Sequence, residues 1–268
     1  MSRLSGKVAV ITGGGGVLPA AIAEGLAEEG VSCVLLDLDE DKAQAALERV
    51  RRAGADGLAV KANVLSSEEL QTALESTRSA FGRVDFLING AGGNHPRATT
   101  SSDVPLFDLP LEAVRFVFDL NFVGTFLSCQ VFGRAMAEQG QGAILNIASM
   151  NALRPLTRIP AYSAAKAAVA NFTQWLAVHM AQEYSPKIRV TALAPGFFLT
   201  EQNRFLLLDQ EGVLTPRGRK IIDHTPMARF GEPQDLIGAV RWLLSPAADF
   251  VTGVVIPIDG GFSAYSGV

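Results

Sequence analysis

Tyr162 and Lys166 stand four residues apart in AYSAAKAA, a segment whose pattern predicts a helix, so they share one helical face. An ammonium beside a phenol favours the phenolate and lowers its pKa, which suits the tyrosine to general acid/base work near neutral pH. Alone, such a pair is commonplace on protein surfaces. Here Ser149 closes a predicted buried strand 13 residues earlier, where its hydroxyl is placed to hydrogen-bond a reacting carbonyl oxygen. Asn121, in DLNFVGTF, falls inside a predicted helix where asparagine is a poor helix former. A helix disturbed for function and a solvated asparagine both fit that position.

A second constellation lies near the N-terminus. TGGGGVLPAA follows the apolar run VAVI and precedes a helical pattern from about Leu18. Glycines 13 to 16 would leave backbone amides and a positive helix end free for a pyrophosphate, although a plain strand-to-helix turn has the same look. Asp37 ends the next apolar run, 24 residues after Gly13. A carboxylate there accepts hydrogen bonds from both ribose hydroxyls of an adenosine and repels a 2′-phosphate. Leu38 follows it and the turn holds no Lys or Arg, which favours NAD over NADP. Val17 is the departure from a glycine-rich phosphate loop. The amides from Gly16 to Leu18 are expected to face the cofactor along a slightly altered path, and Pro19 in the first helical turn has no amide to lose.

These residues need elements to position them. Apolar, β-branched runs at 7–12, 31–37, 57–63, 84–89, 142–149, 188–194 and 253–259 alternate with amphipathic stretches near 18–29, 40–53, 66–81, 111–139, 161–183 and 233–245. Several runs are apolar nearly end to end, as strands buried on both faces are. The alternation predicts an α/β fold: a Rossmann-like, doubly wound, seven-stranded parallel sheet with helices on both faces, forming a single domain over 1–268. Two long connections, 92–110 and 197–230, emerge where such sheets bind ligands. The second has the length and mixed polarity of a substrate lid, carrying Gln202, Asn203 and Arg204 early and Arg219, Lys220 and His224 late.

Composition narrows the partners. Net charge is −4 with no basic block, which argues against nucleic acid. No uninterrupted apolar run approaches the roughly 18 residues of a membrane helix. Apolar residues make up 48% of the chain and mean hydropathy is +0.23, an excess best placed in subunit contacts. The first predicted strand begins too early for a signal peptide. Cys33 and Cys129 make no disulfide framework, and His95, His179 and His224 lack metal-ligand spacing. A reducing cytoplasm is the expected setting.

Taken together, these motifs resemble those of the short-chain dehydrogenase/reductases from Lys7 to about Phe262. Gly13, Gly16, Val17 and Leu18 match the first turn; Asp37 and Leu38 the ribose position; Asn63 and Val64 the adenine edge, with Asn63 replacing the family's usual Asp. Asn89-Gly90-Ala91-Gly92 stands in for NNAG, and Pro195-Gly196 with Phe198 and Thr200 for PGxxxT, which holds the nicotinamide carboxamide. Asn121, Ser149, Tyr162 and Lys166 match the catalytic tetrad. The resemblance implies that Tyr162 exchanges a proton with the substrate oxygen and Ser149 polarises the carbonyl. It also implies that Lys166 lowers the tyrosine pKa and binds the nicotinamide ribose, and that Asn121 holds a relay water.

Between Ser149 and Tyr162 lies MNALRPLTRIPA, with Asn151, Arg154 and Arg158 and no acidic residue; the 92–110 connection adds Asn94, His95 and Arg97. Arginine suits bidentate carboxylate binding, so these residues and Asn203 point to an anionic polyol, unless the arginines are solvated or bind a neighbouring subunit. The stretches GAGGNHPRATT, APGFFLTEQNR and GGFSAYSGV extend the resemblance to the D-mannonate oxidoreductases (D-fructuronate reductases) within that family, and by resemblance to a homotetramer whose C-terminal tail packs at an interface. Two alternatives stay open: a dehydrogenase of another polyol or sugar acid, such as gluconate 5-dehydrogenase, and an NAD-dependent epimerase, whose TGxxGxxG turn Gly13 and Gly16 also fit.

Overall fold

Alternate residues of the first strand face different cores. Ala9 and Ile11 pack with one cluster, Val8 and Val10 with another, and all four are buried. A strand buried on both faces belongs inside a sheet covered on both sides. In the computed structural model, which describes residues 4–200 and 203–267, that sheet has seven strands: β1 (Val8–Thr12), β2 (Ser32–Asp37), β3 (Gly57–Lys61), β4 (Phe86–Asn89), β5 (Gly142–Ile147), β6 (Ile188–Pro195) and β7 (Val255–Ile258). Their order is β3-β2-β1-β4-β5-β6-β7 and every pairing is parallel. The expected Rossmann-like domain is therefore present.

One face carries helices α1 (Val17–Ala27) and α2 (Glu40–Arg52); the other carries α3 (Ser67–Phe81). Asp39 and Ser66 cap α2 and α3 by accepting from the Lys42 and Glu69 amides. The chain crosses from β3 back to β4 on the far side of β1. The carboxyl ends of β1 and β4 thus flank the switch point, where ligands bind in such sheets.

The segment expected as one helix at 111–139 is α4 (Leu111–Phe118), a π-turn (Asp119–Val123) and α5 (Gly124–Gln139). The whole stretch is long and apolar enough by composition to cross a membrane. That departs from the run-length expectation, because Arg115, Asp119, Arg134 and Glu138 interrupt the run without breaking the helix. In this fold it is a core element: Val117, Asn121, Cys129, Phe132 and Met136 are buried. After it come α6 (Pro160–Glu183), the short α7 (Arg204–Leu207), α8 (Pro216–Asp223) and α9 (Ile237–Leu244).

Candidate active site

At the carboxyl end of β1 the chain turns through Gly13 at φ +64°, and a β-carbon there would stand 2.8 Å from Ala91 Cα. Only glycine allows both the conformation and this approach of the 89–92 loop. The Gly14 amide donates to the Leu36 carbonyl (3.0 Å), Gly15 to Asp37 Oδ2 (2.9 Å) and Gly16 to the Gly13 carbonyl (2.8 Å). Gly16 is the N-cap of α1. The amides of Val17 and Leu18, the next two, have no partner among the described residues. Two unpaired donors at a helix N-terminus fit a pyrophosphate.

Asp37, expected as a ribose acceptor, has two partners within the fold. Its two oxygens accept from Gly15 (2.9 Å) and Asp39 (3.0 Å), so it also shapes the glycine turn. Each oxygen retains a lone pair for a ribose hydroxyl. Leu38 is exposed beside it. The Asn63 side-chain oxygen accepts from the Leu65 amide (3.0 Å), leaving its NH2 free.

Asn121 sits in the π-turn with its side chain fully buried. Its Nδ2 donates to the Val117 and Gly93 carbonyls, both at 2.7 Å, and its Oδ1 accepts from Gly93 N (3.1 Å). Lys166, also buried, donates to the Ile147 carbonyl at the end of β5 (2.7 Å), and its Nζ lies 5.8 Å from the centre of the Tyr162 ring. Ser149 Oγ accepts from the Asn151 amide (3.2 Å). Burial pushes Lys166 down to about 8 and Tyr162 above its ordinary value, while Ser149 pulls the phenol the other way. The lowering of Tyr162 expected from Lys166 is not among the causes of this shift; the lowering influence comes from Ser149.

The substrate-side residues divide. Arg97 pairs with Glu112 (2.6 Å) and Asn94 Nδ2 donates to Thr99 Oγ1 (2.8 Å). His95 Nδ1 accepts from the Arg97 amide (3.1 Å) and the ring packs edge-on against Phe116, which leaves Nε2 as the donor of a neutral imidazole. Asn151 is buried with an unpartnered Oδ1. Among the described residues the Arg154 guanidinium makes one bond, from Nε to the Ser263 carbonyl (3.1 Å). Arg158 adopts φ +72°, its carbonyl accepts from Thr100 N (2.8 Å), and its guanidinium has no partner among the described residues.

A family model described as short chain dehydrogenase matches residues 7–211. The protein belongs to the short-chain dehydrogenase family. An uncharacterized oxidoreductase of Bacillus subtilis is 48% identical over 99% of this chain and 98% of its own. A crystal structure of a candidate D-mannonate oxidoreductase from Haemophilus influenzae, with bound NAD, superposes at a TM-score of 0.93 with 45% identity, covering 100% and 98% of the two chains. The 5-keto-D-gluconate 5-reductase of Escherichia coli K12 is 32% identical over 96% of each.

Within this dehydrogenase several expected site residues also have partners in the fold. Asn89 is expected at the cofactor, but its buried Nδ2 donates to Asn146 Oδ1 (2.8 Å) and Cys129 Sγ (3.2 Å). Val64 is buried against Gly124, and Phe198 packs on Gly231 while lining a cavity with Phe197, Ile258 and Asp259. Asn203 closes its own loop, accepting from the Thr200 amide (2.9 Å) and donating to the Phe198 carbonyl (2.7 Å). The Asn121 amide hydrogens are both spent on carbonyls, so they are not the groups that hold a relay water. Gly196 N donates to the Ile258 carbonyl (2.9 Å), placing Pro195-Gly196 beside β7. Gln202 lies outside the described residues. Sequence reasoning misses Thr12, whose hydroxyl accepts from the Gly90 and Ala91 amides (3.2 and 3.3 Å) and ties the loop after β4 to that after β1. A threonine ending an apolar run is the available signal.

Proposed function

We propose that this protein is an NAD-dependent dehydrogenase interconverting a secondary alcohol and a ketone on a hydroxylated sugar acid, with D-mannonate and D-fructuronate as the pair. The observation that carries the substrate class is the state of the loop arginines. Arg97 is neutralised by Glu112, whereas Arg154 and Arg158 lie between Ser149 and Tyr162 with no carboxylate partner among the described residues. Unneutralised arginines beside a reactive centre suit a substrate carboxylate. The NAD-bound D-mannonate oxidoreductase candidate at 45% identity supports the same choice.

Bound NAD supplies the acceptor for the carbon-bound hydrogen and its electron pair. The Val17 and Leu18 amides would hold its pyrophosphate and Asp37 its adenosine ribose, with Gly13, Gly16, Ala91, Gly92, Asn63, Pro195, Gly196 and Thr200 around it. Tyr162 takes the alcohol proton during oxidation and returns it during reduction. Ser149 hydrogen-bonds the same substrate oxygen and favours the phenolate. Lys166, held by Ile147 on the Tyr162 side of the site, would bind the nicotinamide ribose. Asn121 is a positioning residue that fixes Gly93. His95 Nε2, Asn151 and Asn94 offer hydrogen bonds to polyol hydroxyls. The 197–230 segment, which carries the short helices α7 and α8, acts as the lid.

Leu111 and Phe116 on α4, Trp175 and Val178 on α6, Trp242 on α9 and Phe250 after it are all exposed. Exposed large apolar side chains of this kind support a homotetramer, which light scattering after gel filtration tests. Two buried free thiols accord with a cytoplasmic setting. The deciding experiment is a panel of aldonates, keto-uronates and neutral polyols followed by NADH absorbance. Net NADH from a hydroxy acid excludes an epimerase, which returns what it takes; neutral polyols outperforming every acid would overturn the anionic-substrate assignment. The 5-keto-D-gluconate reductase at 32% identity favours placing gluconate in that panel.

A further inference from the structure

Beyond β7 the chain reverses at Asp259. Its Oδ1 accepts from the Gly261 amide and its Oδ2 from the Ser263 amide, each at 2.9 Å, with Gly260 and Gly261 both at positive φ. This fixed turn sends residues 262–265 back over the substrate side of the same chain. Four contacts follow. Phe262 packs edge-on against Phe197, which follows Pro195-Gly196 (5.1 Å between ring centres). His224, at the end of α8 in the 197–230 segment, packs against Phe262 (4.8 Å) and Tyr265 (5.0 Å). The Ser263 carbonyl accepts from Arg154 Nε (3.1 Å). The tail therefore touches the end of β6, the lid segment and the loop after Ser149.

The bond to Arg154 is informative because of which nitrogen it uses. A guanidinium has five N–H groups in a rigid plane, and fixing it by Nε leaves both terminal nitrogens, side by side, with no partner among the described residues. That free edge matches a carboxylate in a bidentate pair. Arg158, by contrast, is anchored among the described residues only through its backbone. Resting on the anionic-substrate function above, we propose that Arg154 is the residue that takes the substrate carboxylate, and that the C-terminal tail of the same chain positions it. The tail is then part of its own subunit's substrate site, and Phe262 is a positioning residue that never meets substrate.

The test is steady-state kinetics of the full-length enzyme with its best sugar acid, comparing Arg154→Gln, Arg154→Lys and Phe262→Ala with wild type. Loss of a charge-assisted bidentate contact should raise KM for the acid about tenfold to a hundredfold in Arg154→Gln. Arg154→Lys should fall between, keeping the charge and losing the fork. In Phe262→Ala the same KM should rise while kcat and KM for NAD hold, a split that general loss of structure does not produce. Arg154 is exposed, so its replacement leaves the folded chain available if Phe262→Ala does not fold. An unchanged KM for the acid in Arg154→Gln overturns the inference, as does a Phe262→Ala loss confined to kcat. A wild-type enzyme that turns over no carboxylate substrate removes the proposed function and this inference with it; an active wild type with an indifferent Arg154→Gln removes only this one.

Discussion

A β-carbon built on Gly92 would stand 2.6 Å from Asn121 Oδ1 and 3.1 Å from Lys166 Nζ. The loop after β4, the π-turn and α6 therefore meet at one hydrogen atom's width. Gly92→Ala should push Asn121 off Gly93 and shift Lys166, lowering kcat on the order of a hundredfold, the usual cost of about 1 Å of misplacement in a catalytic group. Gly93→Ala is the control, since nothing lies within 4 Å of its added carbon. Equal losses in the two variants, measured as kcat, would show that the close packing is irrelevant.

Tyr162 gives a pH signature. Burial raises its pKa and Ser149 opposes that rise. Alcohol oxidation needs the phenolate, so its rate should climb about tenfold per pH unit on the acid side of the phenol pKa. Ketone reduction needs the phenol and should stay level until the same group titrates. Ser149→Ala removes the interaction that lowers the pKa, so the rising limb should move to higher pH. A pH–rate profile with an unmoved limb in that variant would contradict the assignment of the limb to Tyr162.

Lys166 is an ammonium held where its charge is disfavoured, its pKa driven by burial from 10.5 to about 8. Between those values the unfolded chain binds the proton more readily than the folded one, so raising the pH through this window stabilises the fold. Below pH 8 the full cost of the buried charge stands, on the order of a few kcal/mol, offset by the bond to Ile147. Lys166→Met should therefore melt higher than wild type at pH 7 in the absence of NAD, with the advantage fading by about pH 10.5. Melting curves across that range check the sign, and a variant less stable at pH 7 contradicts it.

How much of this is legible in the chain alone depends on distance along it. Strands come from runs apolar at every position, and Ser149, Tyr162 and Lys166 from a spacing that survives as one strand end and one helix face. Side-chain direction does not carry through. Asn89 ends β4 as expected, yet its side chain turns into the Asn146–Thr173 hydrogen-bond chain within the core. Phe198 and Val64 follow the expected motifs, and the apolar interior claims both. The π-turn is visible only as an awkward asparagine, because the side chain's partner lies in the loop at Gly93, 28 residues away. Arg154 and Ser263 are 109 residues apart, and no local pattern links them.

Asp37 separates cofactor choice from loop shape. Its carboxylate holds the Gly15 and Asp39 amides and would repel a 2′-phosphate placed at the ribose. Lys42 stands close by, since a β-carbon on Gly15 would meet its Cβ at 2.5 Å, but its ammonium is paired with Asp39 at 2.9 Å. Asp37→Ser keeps a hydroxyl to accept one of the two amides and removes the charge. KM for NAD should rise about tenfold or more as the ribose loses a charged acceptor, while NADP gains turnover with Lys42 as the nearby cation. Asp37→Ser combined with Asp39→Ala releases Lys42 and should increase NADP use further. Measuring kcat/KM for both cofactors in each variant tests the order: if the double variant uses NADP no better than the single one, Lys42 does not reach the phosphate.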